Sequence, residues 1–257
     1  MQGFSANIST LFTALPLAER FAAAAQAGFR AVEIQFPYAH KPAELAAAAR
    51  QAGVDIVLIN MPAGNFAAGE RGIACLPGRG AEFRAALAQA ITYATALHCP
   101  RVNGLAGNIP EGAGAEECWD LAVANLRDAA DAFAIHNIEL LIEPLNRADN
   151  PRFLLNGSQS ALDLITAMGK RNVALQFDAY HSAAAGEDAC AELARHISQI
   201  GHIQISDSPG RGAPGSGKLD FTRFFRALNH LPYTGWVGCE YFDPAPDFGW
   251  MQNYAGS

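Results

Sequence analysis

The segment Ile138-Glu139-Leu140-Leu141-Ile142-Glu143-Pro144-Leu145-Asn146 decides the fold and locates the chemistry. It begins as an apolar, branched run, which is typical of a strand buried on both faces of a parallel sheet. Pro144 lacks a backbone N–H, so the strand should end near Glu143. A carboxylate at the end of a buried strand is costly unless a metal ion, a cationic partner or a raised pKa compensates for its charge. We therefore expect the rest of the chain to supply that compensation.

The same alternation of apolar runs and helical patterns extends along the chain. It predicts eight strands, at residues 4–8, 31–36, 54–60, 101–105, 138–143, 173–178, 202–206 and 236–240. It predicts seven helices, at residues 17–27, 42–52, 79–97, 115–136, 158–168, 187–199 and 220–228. Units of roughly 30 residues are typical of βαβ repeats. A closed (β/α)8 TIM barrel and an open doubly wound sheet both fit, and the eight regular alternations favour the barrel, with residues 1–257 as one domain.

Composition narrows the class of function. The 257 residues are half hydrophobic, which allows a large core, and the net charge of −7 disfavours nucleic acid or an anionic membrane as the main partner. No run approaches the ~18 apolar residues of a membrane span, and the N-terminus lacks a signal-peptide pattern. The five cysteines are scattered and form no CxxC pair. We therefore expect reduced thiols and a cytoplasmic location.

Four oxygen-bearing side chains lie at or near the ends of four successive predicted strands: Glu143, Asp178, Gln204 and Glu240. Their spacing is about one βα unit each, so in a barrel they meet along one half of the mouth, at the carboxyl ends of the strands. Three carboxylates and an amide oxygen suit a hard cation such as Mg²⁺ or Mn²⁺ better than zinc, which prefers nitrogen and sulfur. Taken singly, Asp178 is as readily a helix N-cap and Gln204 a hydrogen-bonded core amide, but the set of four favours a metal site.

Four further residues are candidates for binding a substrate. His181 follows Asp178 by three residues, where it can bind a substrate hydroxyl or orient a carboxylate, or can be an ordinary loop histidine. Arg211, in the loop after the seventh strand, can clamp an anionic substrate or be a solvated surface residue. Asn60 ends the third strand and should face the same mouth. Glu70, with Arg71, lies on a long Gly-rich loop that is placed to cover the site as a lid.

Five segments together resemble the hydroxypyruvate isomerase family, within the xylose-isomerase-like barrels, over nearly the full length. These segments are Phe4-Ser5-Ala6-Asn7-Ile8-Ser9, Gly28-Phe29-Arg30-Ala31-Val32-Glu33, Ala67-Ala68-Gly69-Glu70-Arg71-Gly72-Ile73-Ala74, Leu141-Ile142-Glu143-Pro144 and Gly235-Trp236-Val237-Gly238-Cys239-Glu240-Tyr241. The last segment and the Glu70 loop are specific to this subgroup. The closely similar 2-oxo-tetronate isomerases share most of these motifs, and Phe242 stands where members of the family usually carry lysine.

The resemblance implies an intramolecular oxidoreductase that converts hydroxypyruvate to tartronate semialdehyde. It implies Glu143 and Glu240 as the paired proton donor and acceptor, acting through an enediolate. It implies Glu143, Asp178, Gln204 and Glu240 as Mg²⁺ ligands, the same set that the strand ends predict. Glutamine at position 204 is similar to the hydroxypyruvate-type subgroup, since many related epimerases have histidine there.

Several alternatives stay open at this stage. A 2-oxo-tetronate isomerase or a ketose epimerase fits the same barrel, and a hydride shift is a rival to proton transfer. A DNA-repair endonuclease of this barrel type needs a histidine-rich multi-zinc centre and a basic face, which seven scattered histidines and an acidic chain disfavour. A non-catalytic carbohydrate-binding protein is a further class. The expected partner is a small hydroxy-keto acid or ketose, and the sequence leaves homo-oligomer formation open.

Overall fold

Eight parallel strands hydrogen-bond in chain order and close into a barrel in the computed structural model, which describes residues 1–243 and 246–254. The strands are β1 (Gly3–Asn7), β2 (Ala31–Ile34), β3 (Asp55–Asn60), β4 (Arg101–Asn103), β5 (Glu139–Ile142), β6 (Val173–Asp178), β7 (Ile200–Ile205) and β8 (Trp236–Cys239). The barrel closes because β1 pairs with both β2 and β8. The TIM-barrel prediction is confirmed, and the open sheet is excluded. The predicted domain includes residues 244–245 and 255–257, which lie outside the described part.

Helices follow the strands and cover the outside of the barrel. They are α1 (Leu17–Gln26), α2 (Pro42–Ala52), α3 (Gly80–Ala96), α4 (Ala115–Ala134), α5 (Ser158–Met168), α6 (Ala179–Ala184), α7 (Ala189–His196) and α8 (Phe221–His230). They bury aromatic side chains against the strands, among them Phe21, Phe133 and Phe225. Within the described part, no helix combines the length and the apolar character needed to cross a membrane.

Two differences from the predicted helices have local causes. The short helix α6 was not predicted, because six residues are too few to reveal a helical period. It begins directly after β6, where the side chain of Asp178 accepts a hydrogen bond from the backbone N–H of Tyr180 at 2.8 Å. The predicted helix over 187–199 begins later, at α7, because Asp188 caps that helix through the backbone N–H groups of Cys190 and Ala191. A 3₁₀ turn, Ile197–Gln199, replaces its end.

The strand register brings the predicted acidic side chains to one rim. Asp178 of β6 pairs with Gln204 of β7, and Gln204 pairs with Gly238 of β8. On the other side, Ile142 of β5 pairs with Leu175 of β6. Glu143 and Glu240 each come one residue after the end of a strand. The carboxyl ends of β5 to β8 therefore form a continuous half of the barrel mouth, as the spacing predicted.

The interior of the barrel below this mouth is polar as well as apolar. Glu33 of β2 is buried there and accepts hydrogen bonds from Ser5 Oγ at 2.7 Å and from Gln204 Nε2 at 2.8 Å. Its Oε1 also lies 2.8 Å from His202 Nε2. Gly238 makes room for this carboxylate, since a Cβ at that position would collide with Glu33. A polar network thus connects the barrel interior to the mouth.

Candidate active site

Arg211 joins two of the predicted acidic residues at the mouth. Its Nη2 lies 2.6 Å from Glu240 Oε1 and 3.5 Å from Asp178 Oδ2. The guanidinium also lies over the rings of Tyr180 and Phe242, with distances of 5.1 and 6.0 Å to their centroids. Arg211 adopts a left-handed backbone conformation, with φ of 53°. The loop after β7 therefore holds the guanidinium of Arg211 against the carboxylates of Glu240 and Asp178.

Asp178 divides its two carboxylate oxygens between structure and the site. Oδ1 caps α6, whereas Oδ2 is buried and has no hydrogen-bond partner among the described residues. A buried carboxylate oxygen without a donor is costly unless a cation compensates for it. Ligand atoms of Glu143, Asp178 and His181 all lie within 4.8 Å of one another. The two carboxylates of this group fit a divalent cation at the ends of β5 and β6.

Glu240 is surrounded by hydrogen-bond donors. Its Oε1 accepts from Arg211 Nη2 at 2.6 Å and from Gln35 Nε2 at 3.0 Å. Its Oε2 accepts from Asn7 Nδ2 at 3.1 Å and from Gln204 Nε2 at 2.6 Å. These donors come from β1, the loop after β2, β7 and the loop after β7, so the position of this carboxylate is set by distant parts of the chain.

Glu143 has much sparser surroundings. Its Oε2 accepts one hydrogen bond, from Asn103 Nδ2 at the end of β4, at 2.6 Å. It lines the cavity at the barrel mouth. One carboxylate oxygen therefore has a fixed donor, and the other is left for a cation or a substrate.

Burial, together with repulsion from neighbouring carboxylates, raises the pKa of all three carboxyl groups. Desolvation, followed by the charges of Glu240 and Asp178, raises the pKa of Glu143 well above its usual range. Burial raises the pKa of Asp178 to about 6 and that of Glu240 to about 7, and Arg211 opposes both shifts. A bound cation would lower all three. The raised pKa values and the Asp178 oxygen without a hydrogen-bond donor among the described residues thus both indicate a site that favours a cation.

Gln204 reaches the site, but its amide nitrogen faces the carboxylates. Nε2 donates to both Glu33 and Glu240, whereas Oε1 accepts from Gln176 Nε2 at 2.6 Å. The amide orientation follows from this hydrogen-bond network. A role as metal ligand requires the amide to turn so that Oε1 faces Glu240. In that orientation, Nε2 of Gln204 would face Gln176. A matching turn of the Gln176 amide would let its Oε1, which has no partner among the described residues, accept a hydrogen bond from that Nε2.

His181 is buried, neutral and fixed in one tautomer. Its Nδ1 lies 3.2 Å from the backbone nitrogen of Asn146 and therefore accepts a hydrogen bond. The proton is then on Nε2, which lies 3.8 Å from Asp178 Oδ2. Burial, with a contribution from Arg211, lowers the pKa of His181 to about 3. The ring therefore presents a neutral N–H donor at the mouth.

A cavity of about 580 Å³ opens above these residues. Among its lining residues are Glu143, Glu240, His181, Arg211 and Asn60, all five of which were predicted for the site. Sequence reasoning missed other residues of the site: Gln35, Asn103, Asp149, Asn7 and Phe36. Asn103 carries the same signal as Glu143, since it is a polar residue that ends a buried strand.

Glu70 lies elsewhere, which corrects its predicted place in the substrate site. Arg79 forms an ion pair with its carboxylate, and the backbone N–H of Asn65 donates to its Oε2 at 2.5 Å. These partners hold Glu70 on the far side of the loop after β3, in a separate depression next to Asn108 and Pro110. Its neighbour Arg71 lines the active-site cavity instead.

Comparison with known proteins agrees with the barrel fold. A sequence model of the family described as "Xylose isomerase-like TIM barrel" matches residues 21–255. Hydroxypyruvate isomerase of Escherichia coli is 44% identical over 241 residues, which cover 94% of this chain and 93% of that protein. 2-Oxo-tetronate isomerase of Cupriavidus necator is 40% identical over 259 residues, which cover 100% of each protein. A structure titled AP endonuclease, family 2, from Brucella melitensis has a TM-score of 0.94 and 37% identity, with 99% of each chain covered.

These matches place the chain in a family. The chain belongs to the xylose isomerase-like TIM barrels. Within them it is an isomerase, and it is similar to hydroxypyruvate isomerase and to 2-oxo-tetronate isomerase. The family resemblance predicted from the sequence is confirmed.

The endonuclease title of one relative has no counterpart in the donor set of this chain. Within the described residues, the group of histidine, cysteine and acidic side chains that could hold a metal ion is Glu143, Asp178 and His181. It contains two carboxylates and one histidine. The histidine-rich, multi-zinc centre expected of an endonuclease differs from this group.

Proposed function

We propose that the protein is a metal-dependent isomerase of a small hydroxy-keto acid, such as hydroxypyruvate, which it converts to tartronate semialdehyde. The observation that carries this proposal is the group of three buried carboxylates at the ends of β5, β6 and β8, with no hydrogen-bond donor for Asp178 Oδ2 among the described residues. The names of two relatives, hydroxypyruvate isomerase and 2-oxo-tetronate isomerase, support an acid substrate. With its net charge of −7, the chain should bind neither nucleic acid nor an anionic membrane.

Glu143, Asp178, Gln204 and Glu240 would hold the cation, with Gln204 in the turned orientation. Oxygen donors select Mg²⁺ or Mn²⁺. When bound, the cation stabilises negative charge that develops on substrate oxygen atoms. Its charge also removes the electrostatic cost of ionising three neighbouring carboxyl groups.

Glu143 and Glu240 would carry out the two proton transfers, one at each of the two reacting carbons. One carboxylate removes a proton from the hydroxyl-bearing carbon, and the electron pair forms the enediolate. The other, as the carboxylic acid, returns a proton to the former carbonyl carbon, while the hydroxyl proton passes to the former carbonyl oxygen. His181 and Arg211 would donate hydrogen bonds to the substrate oxygens, because the histidine carries its proton on Nε2 and the arginine is cationic.

A four-carbon 2-oxo-tetronate is the second candidate substrate. A cavity of about 580 Å³ lies within the usual range for small-molecule sites, about 300–1,000 Å³, and so does not restrict the substrate to three carbons. A relative with this named activity matches the whole chain. Ketose epimerisation uses the same proton removal and is the remaining alternative.

A substrate screen in D₂O tests the proposal. Keto acids and ketoses of three to six carbons are followed by proton NMR with Mg²⁺ or Mn²⁺ and again after EDTA. We expect isomerisation of hydroxypyruvate or 2-oxo-tetronate with deuterium in the product, and its loss in EDTA. Retention of the substrate hydrogen would indicate a hydride shift instead. An absence of exchange on every compound with either metal would contradict the proposed function.

A further inference from the structure

The loop after β3 presents one arginine to the active-site cavity, and this residue has no acidic partner. Arg71 lines the cavity and is half-buried. Its Nη1 donates to two backbone carbonyl oxygens, that of Glu70 at 2.9 Å and that of Phe66 at 3.2 Å. Within the described residues, no carboxylate lies within ion-pair distance, and Nε and Nη2 have no hydrogen-bond partner. Two N–H donor groups therefore remain for a ligand.

Two other arginines near this region are paired with carboxylates. Arg79 pairs with Glu70 and with Glu82, so it is not available to the cavity. Arg211 pairs with Glu240 and Asp178. Arg71 therefore differs from both, because its charge is compensated only by carbonyl dipoles and an aromatic ring. Burial lowers the pKa of Arg71 from a starting value far above neutrality, so the guanidinium stays charged.

The position of Arg71 is fixed by its loop. Its guanidinium carbon lies 4.0 Å from the centroid of the Phe66 ring, and Phe66 in turn packs against Phe36 at 4.9 Å. Gly72 follows with φ of 100°, and a Cβ there would collide with the carbonyl of Leu105. Only glycine allows this close approach. The loop is thus held against the loop after β4, and Arg71 is presented from a constrained backbone.

The charges around the cavity show what this arginine would bind. The carboxylates that line the cavity are Glu143, Asp149 and Glu240, and they repel an anionic substrate. A neutral sugar has no charge to compensate, whereas the carboxylate of an acid is stabilised by a cation that lacks an acidic partner of its own. An arginine side chain with two unused donor groups suits a carboxylate in bidentate geometry.

We propose that Arg71 binds the carboxylate of the substrate and thereby selects acids over neutral ketoses. This proposal rests on the proposed isomerase function and names the substrate group that the loop after β3 recognises. The carboxylate lies at the Phe66 side of the cavity, and the hydroxy-carbonyl carbons lie toward Glu143 and Glu240. Arg71 is a binding residue and takes no part in proton transfer.

Matched acid and neutral substrates test this role. The variants are Arg71→Gln, Arg71→Lys and, as a control, Arg84→Gln, which removes an exposed arginine on α3 away from the cavity. Turnover of hydroxypyruvate is compared with deuterium exchange into dihydroxyacetone, in which a neutral hydroxymethyl group replaces the carboxylate. For Arg71→Gln we expect KM for hydroxypyruvate to rise about 10- to 100-fold, the effect of losing hydrogen bonds to a charged group. We expect kcat and the exchange of dihydroxyacetone to change less than about threefold, and Arg71→Lys to recover part of the affinity.

A binding measurement separates this proposal from the isomerase function. Calorimetric titration with glycerate, an acid that lacks the reactive carbonyl, reports carboxylate recognition whether or not the enzyme turns over. Glycerate should bind the wild type and Arg84→Gln equally, and Arg71→Gln about 10- to 100-fold more weakly. Equal affinity for all three, or equal losses on hydroxypyruvate and dihydroxyacetone, would overturn the role of Arg71. Normal glycerate recognition without any isomerisation would instead overturn the proposed function and leave Arg71 as a carboxylate site.

Discussion

Glu143 and Glu240 carry the same functional group at the same barrel mouth, but their surroundings differ. Glu240 accepts hydrogen bonds from four side chains, one of them the cation of Arg211. Glu143 accepts one hydrogen bond, from Asn103. We call these surroundings the β8 region and the β5 region. Both glutamates are buried, so hydrogen bonding and charge, rather than exposure, distinguish the two regions.

This difference in surroundings gives the two carboxyl groups different pKa values. In the β8 region, Arg211 offsets part of the desolvation, and the pKa of Glu240 is raised only to about 7. In the β5 region the charges of Glu240 and Asp178 add to desolvation, and the pKa of Glu143 is raised well above its usual range. Arg211 thus acts on both glutamates through its charge, but of the two it contacts only Glu240 directly. Glu143, which has no cation in contact among the described residues, gains more from a cation taken from solution.

Removal of either carboxylate should have the largest effect. For Glu143→Gln and Glu240→Gln we expect kcat to fall by about 100- to 10,000-fold, the usual contribution of a general acid or base. Steady-state turnover and deuterium exchange measure this loss. Glu139→Gln is the control, because Glu139 begins the same strand as Glu143 and pairs with Arg101 at the opposite end of the barrel. Turnover within about tenfold of the wild type in either site variant would contradict the paired-carboxylate mechanism.

Removal of the Arg211 guanidinium should make the β8 region resemble the β5 region, because Glu240 would then have no positive charge from the described residues in contact with it. In Arg211→Gln the pKa of Glu240 should rise by about 1 unit or more, because its opposite charge is removed. A base with a higher pKa is protonated at higher pH, so the acid limb of the profile of kcat/KM against pH should move up. At pH 6 we expect about tenfold lower kcat/KM from this shift, with a smaller loss at pH 9. Arg211→Lys keeps the positive charge, so the acid limb of its kcat/KM profile should stay at the pH of the wild type. If kcat/KM of Arg211→Gln fell by the same factor at every pH, this interpretation would be contradicted.

Single amide donors should matter more where they are fewer. Asn103→Ala removes the one side-chain donor of Glu143, whereas Asn7→Ala removes one of four donors of Glu240. We expect kcat/KM to fall about tenfold for Asn103→Ala and about threefold or less for Asn7→Ala, since a hydrogen bond to a charged group contributes about 1.5–3 kcal/mol and neighbouring donors compensate. Melting temperatures of both variants control for misfolding. The reverse order of activities would show that the number of donors does not set the sensitivity.

The metal-free protein should lose stability as the pH rises. Burial raises the pKa of Asp178 from 3.8 to about 6 and that of Glu240 from 4.5 to about 7, so the folded state holds more protons than the unfolded state between about pH 4 and 7. The free energy of unfolding therefore decreases through that range. We expect the melting temperature in EDTA to be several degrees lower at pH 8 than at pH 5, since about 1 kcal/mol corresponds to roughly 2–4 °C. Mn²⁺ should reduce this difference, and a melting temperature that rises with pH in EDTA would contradict it.

Much of the fold could be predicted because its signals are local. Alternating apolar runs and helical patterns gave eight strands and the barrel, and the helices α2 and α5 have the predicted bounds. The short helix α6 escaped because its signal is a single capping carboxylate, which has the same sequence pattern as a metal ligand. Asp178 caps the helix with Oδ1, whereas Oδ2 lies in the site without a hydrogen-bond partner among the described residues.

Part of the site could be predicted for the same reason, and part could not. Glu143, Asp178, Gln204 and Glu240 were found because each lies at or near the end of a strand, and parallel strands bring their carboxyl ends together. Gln35 and Asn7 were missed because nothing in their local sequence indicates a contact with Glu240. The neighbours Glu70 and Arg71 share a loop, yet only Arg71 lines the cavity.

The sequence by itself determined the barrel, the acidic rim and the family, because strand periodicity, strand ends and motifs are properties of consecutive residues. Only the tertiary structure decided which groups are charged and which are paired. Desolvation and Coulomb interactions depend on atoms that are distant in sequence, as in the contact between Arg211 and Glu240. For the same reason, the orientation of the Gln204 amide and the unpaired guanidinium of Arg71 could be identified only after folding had placed their neighbours.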